Sequence, residues 1–506
     1  MAGQVGRSTG MLILAAGLAA GLGWGLPGAG IAQDTGQIIT KTYDDGSVYE
    51  GTFKNGRQDG TGTYTLPNGF TYVGEWVAGE IRGKGRAKYP NGSIYEGEFA
   101  KGKPEGQGKI TFADGGTYEG DWKDGAMTGT GRATYPDGSI YEGTFRNGQR
   151  NGQGTLTTPS GTVYVGTWVN GAKNGKGTIT YADGTRYEGT FRADQRDGAG
   201  TLTMPDGLTY TGDWKAGQIT GTGTLKEPNG DIYAGAFVNG QREGQGRANF
   251  ANGDSYVGGY KADKRHGKGK FTARDGSSYD GDWVAGHMEG QGKMVYADGS
   301  VYEGTFKADL PDGMGKITYP DTSTYEGGWV RGAITGQGRS TYASGAVYEG
   351  SVVDGKPDGQ GKMTYPDGYV YDGQWKAGVR EGQGTATYAD GTVYTGGFVA
   401  GLREGRGKLT MPNGFTYEGD WKAGEMTGMG IATYPGGEVY EGAFVGGKRE
   451  GLGKLTYRKG EVSEGIWKNG ILMGPPPTPG TGPDVQTPPA NGTAAPSGGT
   501  GGGSGG

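Results

Sequence analysis

The sequence predicts an all-β fold: an elongated antiparallel β-hairpin array of 23-residue units, closed by a disordered C-terminal tail. Three observations carry this. Tyrosine recurs at Tyr49, Tyr72, Tyr95, Tyr118, Tyr141 and onward to Tyr440 in unbroken steps of 23; the next step lands on Ser463, giving nineteen registers with eighteen tyrosines. Glycine holds a fixed place in every register, as at Gly51, Gly74 and Gly465, and an aromatic follows it two positions on, except at Val352. Turn signals such as Pro136-Asp137-Gly138 close each unit, and no insertion or deletion breaks the run. A fixed period of this length marks a repeat architecture.

Each unit reads as a hairpin. In Tyr-Glu-Gly-Thr-Phe, Tyr49, Gly51 and Phe53 share one face of a strand and Glu50 and Thr52 the other. Asn55-Gly56 or Ala78-Gly79 then turns the chain. The return strand carries Gly60, Gly62, Tyr64 and Leu66 on one face, and Pro-Asn-Gly or Ala-Asp-Gly makes the next turn. Both return-strand glycines are expected to serve as platforms on which neighbouring rings lie against bare backbone. Two rings per unit bury too little to order about 23 residues alone, so each hairpin depends on its neighbours.

A second period lies over the first. Phe and Trp alternate from Phe53 to Phe237, Tyr260 intervenes, and the alternation resumes from Trp283 in opposite phase. Duplication of a nine-repeat block explains the flip, because nine is odd, and oddities recur at the matching offset (Pro104 with Pro311, Thr128 with Thr335). The expected organisation is a signal peptide over 1–32, an N-terminal half-repeat over 33–48, the array over 49–474 in two blocks of nine, and a disordered Pro/Gly/Thr-rich tail over 475–506.

Composition agrees with a thin β structure. Glycine contributes 116 of 506 residues, hydrophobics only 32% and aromatics 11%, too many rings for a plain disordered chain. The formal charge of −5 gives nucleic acid no electrostatic attraction, and the absence of cysteine removes disulfides and thiolate chemistry. Arg7 precedes an apolar run from Met11, and Gly30-Ile31-Ala32 places small residues before a cleavage point, so the mature chain is expected to begin at Gln33 in the periplasm, the cell envelope or the medium.

The unit Tyr141-Glu142-Gly143-Thr144-Phe145, a glycine turn and Gly152-Gln153-Gly154 resembles the MORN (membrane occupation and recognition nexus) repeat, over about residues 38–474. Family units often carry His before the first glycine of the pair; only His266 matches that here. The resemblance implies an extended antiparallel array associated with membrane tethering, phospholipid association, scaffolding and self-association, and no catalytic activity.

No catalytic constellation emerges from the residues. The two histidines, His266 and His287, fall in different slots, no phosphate loop or nucleophile elbow occurs, and the acids that follow the tyrosine slot sit in repeated, equivalent environments. No metal or cofactor is therefore expected. The candidate ligand or packing aromatics are Tyr49, Trp76, Tyr95, Trp122, Tyr141, Trp168, Trp214, Trp283, Trp329, Trp375, Trp421 and Trp467. The expected function is a non-catalytic extracytoplasmic scaffold for protein association or envelope tethering, whose partners are proteins or a second copy met through array ends or edges. The alternative is a module that binds envelope lipid or glycan through exposed aromatics.

Overall fold

Alternating ring, glycine and ring over seven residues, a two-residue turn, and a nine-residue return dictate the local structure of every repeat. A computed structural model describes residues 36–476; the expected signal peptide over 1–32, residues 33–35 and the tail from 477 lie outside the described residues. The described residues form 39 β-strands, numbered β1 to β39 in chain order, and no helix. The chain divides into two compact units, one up to Leu310 and one from Pro311. Within each unit every strand pairs antiparallel with its neighbours in sequence. The first hairpin sets the pattern: β1 (Ile39–Thr42) pairs with β2 (Val48–Lys54), β2 with β3 (Arg57–Thr65), and β3 with β4 (Thr71–Val77).

The turns follow their chemistry. Asn55 and Gly56 both take positive φ (50° and 77°), the paired left-handed conformation whose twist matches the flanking strands. In three repeats aspartate stands where this glycine would be. At Asp194, φ is 68°, and the carboxylate accepts the Lys173 N–H at 3.0 Å while the Asp194 N–H donates to the Lys173 carbonyl at 3.0 Å. A bond to the preceding repeat thus offsets the left-handed strain of a residue with a side chain. In the turns between repeats the Gly69 N–H donates to the Leu66 carbonyl, and Asn68 Oδ1 accepts the Phe70 N–H at 3.0 Å.

The two return-strand glycines do different jobs, which corrects the shared role expected above. Gly51 faces Gly62, yet Phe53 faces Gln58, so β3 carries two more residues than β2 between those pairs. The bulge is made at Gly60, whose φ is 95°, and a Cβ there would meet the Thr52 hydroxyl and no ring. The ring platform is Gly51 with Gly62: a Cβ on either would come within 2.4 Å of the Tyr49 phenolic oxygen. The first glycine bends the strand and the second receives the ring.

The rings form a ladder that is unbroken in the first unit and interrupted in the second at Val352, which holds a ring's place between Tyr325 and Tyr348. Tyr95 makes edge-to-face contacts with Phe99 of its own repeat and Trp122 of the next, both at 5.0 Å. Tyr141 stands in the same way between Phe145 and Trp168, at 5.1 and 5.4 Å. Such pairs contribute about 1 kcal/mol each beyond buried area. Each tyrosine hydroxyl donates to the carbonyl three residues on, as Tyr141 does to Thr144 at 3.1 Å, so the buried phenol is satisfied.

Candidate interaction surfaces

The twelve candidate aromatics all lie inside the packing. Tyr49, Tyr95 and Tyr141 are 0% exposed, and the nine tryptophans from Trp76 to Trp467 are 1–6% exposed. Eight of those indoles donate to a glycine carbonyl, for example Trp168 to Gly154 at 3.3 Å and Trp375 to Gly361 at 2.9 Å. Trp76 differs: its indole nitrogen is buried without a partner. Burial on bare glycine backbone removes these rings from solvent, so a lipid or glycan surface made of them is not what the structure presents.

A slot that sequence reasoning passed over covers the rings. The second residue of the return strand is arginine in several repeats, and its guanidinium stacks on the ring of the next repeat. Arg150 lies 4.1 Å from the centroid of Trp168, and Arg403 and Arg449 lie 4.2 Å from those of Trp421 and Trp467. The same arginine reaches the next turn: Arg150 donates to the Gly171 carbonyl at 2.7 Å and Arg403 to that of Gly424 at 2.8 Å. Elsewhere Ile81, Pro104, Met127 or Pro357 fills this position and is buried or nearly so. The signal was a 23-residue column of mixed type, which hides one shared place, opposite the second aromatic slot of its own hairpin.

Beside Tyr260, where the Phe/Trp alternation changes phase, the first unit has a cleft of about 830 Å³, lined by Arg242, Tyr260, Arg265, Tyr279, Trp283 and Asp309 among others. Burial lowers the pKa of the Arg265 guanidinium, with nearby tyrosines and Asp309 opposing the shift. Burial opposes ionisation of Asp309, but hydrogen bonds from His287 and the Met288 N–H outweigh it and hold the carboxyl below its usual range. His287 Nδ1 lies 2.6 Å from that carboxylate and is exposed, while His266 is half-buried on another strand. Among the described residues no group of three or more His, Cys, Asp or Glu side chains is placed to hold a metal ion.

The opposite face is mainly polar, with exposed aliphatics such as Val73, Val165 and Val257 in some repeats, and is keyed from repeat to repeat. Arg86 meets Glu96 at 2.8 Å, Arg132 meets Glu142 at 2.9 Å and Lys293 meets Glu303 at 2.7 Å, each pair directly opposite across neighbouring repeats. Where the acid gives way to threonine the partner changes too: Thr201 faces Thr211 at 3.1 Å and Thr385 faces Thr395 at 3.2 Å. These pairs are half exposed, so each contributes at most about 1 kcal/mol and mainly marks register.

The repeat unit agrees with a known family. The MORN repeat family model matches eighteen consecutive segments, from 49–71 to 440–462, and the chain belongs to the MORN-repeat family. Alsin of Rattus norvegicus is 44% identical over 52 residues, 9% of this chain and 3% of that protein, so the chain spans only a small part of that relative. Among solved structures, the TCP domain of Drosophila melanogaster SAS-4 in complex with a proline-rich motif of Ana2 is 16% identical, covers 34% of this chain and 86% of its own, and has a TM-score of 0.21. The wild-type TCP10 domain of Danio rerio CPAP in complex with a peptide of STIL is 17% identical, covers 53% and 93%, and has a TM-score of 0.14, as low a superposition. MORN repeats point to a repeat scaffold for protein or membrane association. Among the described residues no helix is long and apolar enough to cross a membrane.

Proposed function

We propose that the chain is a non-catalytic extracytoplasmic scaffold that mediates protein–protein association or tethering at the cell envelope. One observation supports this above the others. The aromatic slots are consumed by packing between repeats, at 0–6% exposure for the twelve candidate rings, so contact falls to the polar pairs, the strand edges and exposed side chains outside those slots such as Val165 and Tyr457. A binding module for envelope lipid or glycan that reads its ligand with these rings has no exposed ring in either slot beyond the half-buried Phe53. The sequence supports export: the apolar run from Met11 and the small residues before Gln33 have the form of a cleaved signal.

Cell fractionation with amino-terminal sequencing, combined with cross-linking in intact cells, tests the proposal. The expected result is an envelope or secreted chain beginning at Gln33 and cross-linked to protein. A chain that stays in the cytoplasm overturns the location. Partition onto protein-free vesicles with no protein cross-link overturns the scaffold in favour of lipid binding.

A further inference from the structure

The two terminal strands are complementary fragments of one strand. A return strand in the array has nine residues, as in β3. At one end β39 (Ile471–Gly474) supplies four residues at the turn-proximal positions, pairing Lys468 with Ile471 and Trp467 with Leu472 of its hairpin. At the other end β1 supplies four at the turn-distal positions, pairing Ile39 with Gly51 and Thr42 with Val48. Stepping by 23, β39 corresponds to residues 57–60 of the first repeat and β1 to residues 62–65. Laid end to end they make a nine-residue strand lacking only its fifth position. Among the described residues each fragment pairs on one side alone, and an open edge is a template for another strand.

The departures from the repeat at the two ends also compensate. Under slot tyrosines such as Tyr49, Tyr141 and Tyr440, the second return-strand glycine (Gly62, Gly154 and Gly453) lies beneath the ring. At the carboxyl end that slot is Ser463, with no ring; at the amino end the matching glycine position is Ile39, whose side chain a ring would exclude. In the array's register, Ile39 of a second copy falls opposite Gly465, in the room the missing ring would take, and Val462, Ser463 and Glu464 face Thr42, Lys41 and Thr40 of that copy. At the free edge the Gly474 carbonyl and the Leu472 side chain cover Gly465, and both must shift for Ile39 to enter. Phe53, the first member of its slot, is half-buried while every later member is buried, because it has no preceding hairpin. The Phe/Trp alternation also continues in step, from Phe444 and Trp467 to Phe53 and Trp76 of the next copy.

We infer that copies of this chain join head to tail, with β39 of one and β1 of the next completing a single shared strand. The inference rests on the scaffold reading and names a second copy as partner. The joint is heterologous: each copy keeps one free end of each kind, so growth continues past a dimer unless a ring closes.

Sedimentation velocity of the full mature chain over a concentration series tests this, with far-UV circular dichroism as the control for folding. Wild type is expected to form reversible, concentration-dependent species larger than a dimer. Ser463→Tyr, which puts a ring where Ile39 must sit, is expected to weaken association at least tenfold. Adding Ile39→Gly in the same chain, which rebuilds the array's own tyrosine-over-glycine pair at the joint, is expected to restore it. A wild type monomeric throughout, a Ser463→Tyr chain that associates as well as wild type, or a folded double variant that stays monomeric overturns the inference. Cross-linking to other envelope proteins by a chain that is monomeric in solution would leave the scaffold standing while the joint falls.

Discussion

Gly154 lies directly under the ring of Tyr141, so close that a Cβ on the glycine would sit 2.2 Å from the phenolic oxygen. Opposite Gly154 stands Gly143, where a Cβ would meet the Gly154 Cα at 2.5 Å and the same phenolic oxygen at 2.7 Å. Gly154→Ala is therefore expected to cost about 3 kcal/mol, the scale of an overpacked core, and to open the array locally. Gly171→Asn is the control: that glycine is in a turn, at a positive φ that asparagine tolerates, with nothing within 4 Å of its Cβ position. It is expected to cost less than about 1 kcal/mol. Denaturant melts with hydrogen exchange resolved by repeat would check both, and equal costs would refute the platform.

Trp76 and Trp168 occupy the same slot with different hydrogen bonding. Trp168 donates to the Gly154 carbonyl and carries the Arg150 guanidinium on its face; the buried Trp76 nitrogen has no acceptor. Trp168→Phe should cost about 1–2 kcal/mol more than Trp76→Phe, since the first loses a bond and a cation–π contact and the second sheds an unpaired donor. Equilibrium unfolding of the two single variants gives the comparison directly.

Thr322 stands in the turn position where the repeat places glycine, at a φ of 71°. A β-branched residue in that conformation is strained, and its side chain is exposed. Thr322→Gly is expected to stabilise the protein by about 1 kcal/mol, read as a rise in the midpoint of urea unfolding. No change, or a loss, would mean that the threonine makes a contact worth its strain.

Burial pushes the phenols of Tyr141, Tyr187 and Tyr210 up to about 12. In the unfolded chain they ionise near pH 10, so the unfolded state binds fewer protons between those values. The stability these phenols contribute is whole below about pH 10 and is lost as pH rises through about 12. The part of the tyrosinate absorbance that comes from these buried phenols should therefore lag behind free tyrosine and rise together with the loss of β-sheet dichroism. Ionisation of the full complement of 32 tyrosines near pH 10 with the sheet intact would contradict this.

Period, hairpin and ring-bearing face were legible because a strand's alternation and a turn's demand for positive φ are local properties. Asn55-Gly56 announces its turn with no help from distant residues. The division of labour between Gly60 and Gly62 was not legible, because a bulge of two extra residues keeps the alternation of faces while changing which residue stands opposite which. The arginine slot was missed for a related reason. Arg150, Pro104 and Met127 differ in every chemical respect except that each stands opposite a ring of its own hairpin, and that likeness exists only once the strands are paired. The twelve aromatics could be located by spacing, but their exposure depends on how closely a ring approaches glycine backbone, which spacing does not encode.

Tyr141 contacts the ring of its own repeat and that of Trp168, 27 residues further along, and the Gly171 N–H reaches back only to the Arg150 carbonyl. Every such contact closes within little more than one repeat length. A chain emerging from a ribosome or a translocation channel can thus finish each hairpin as soon as the next has appeared, and loop closure never has to wait for distant sequence. The order of synthesis becomes the order of assembly, and the exposed leading edge at any moment is a single unpaired strand.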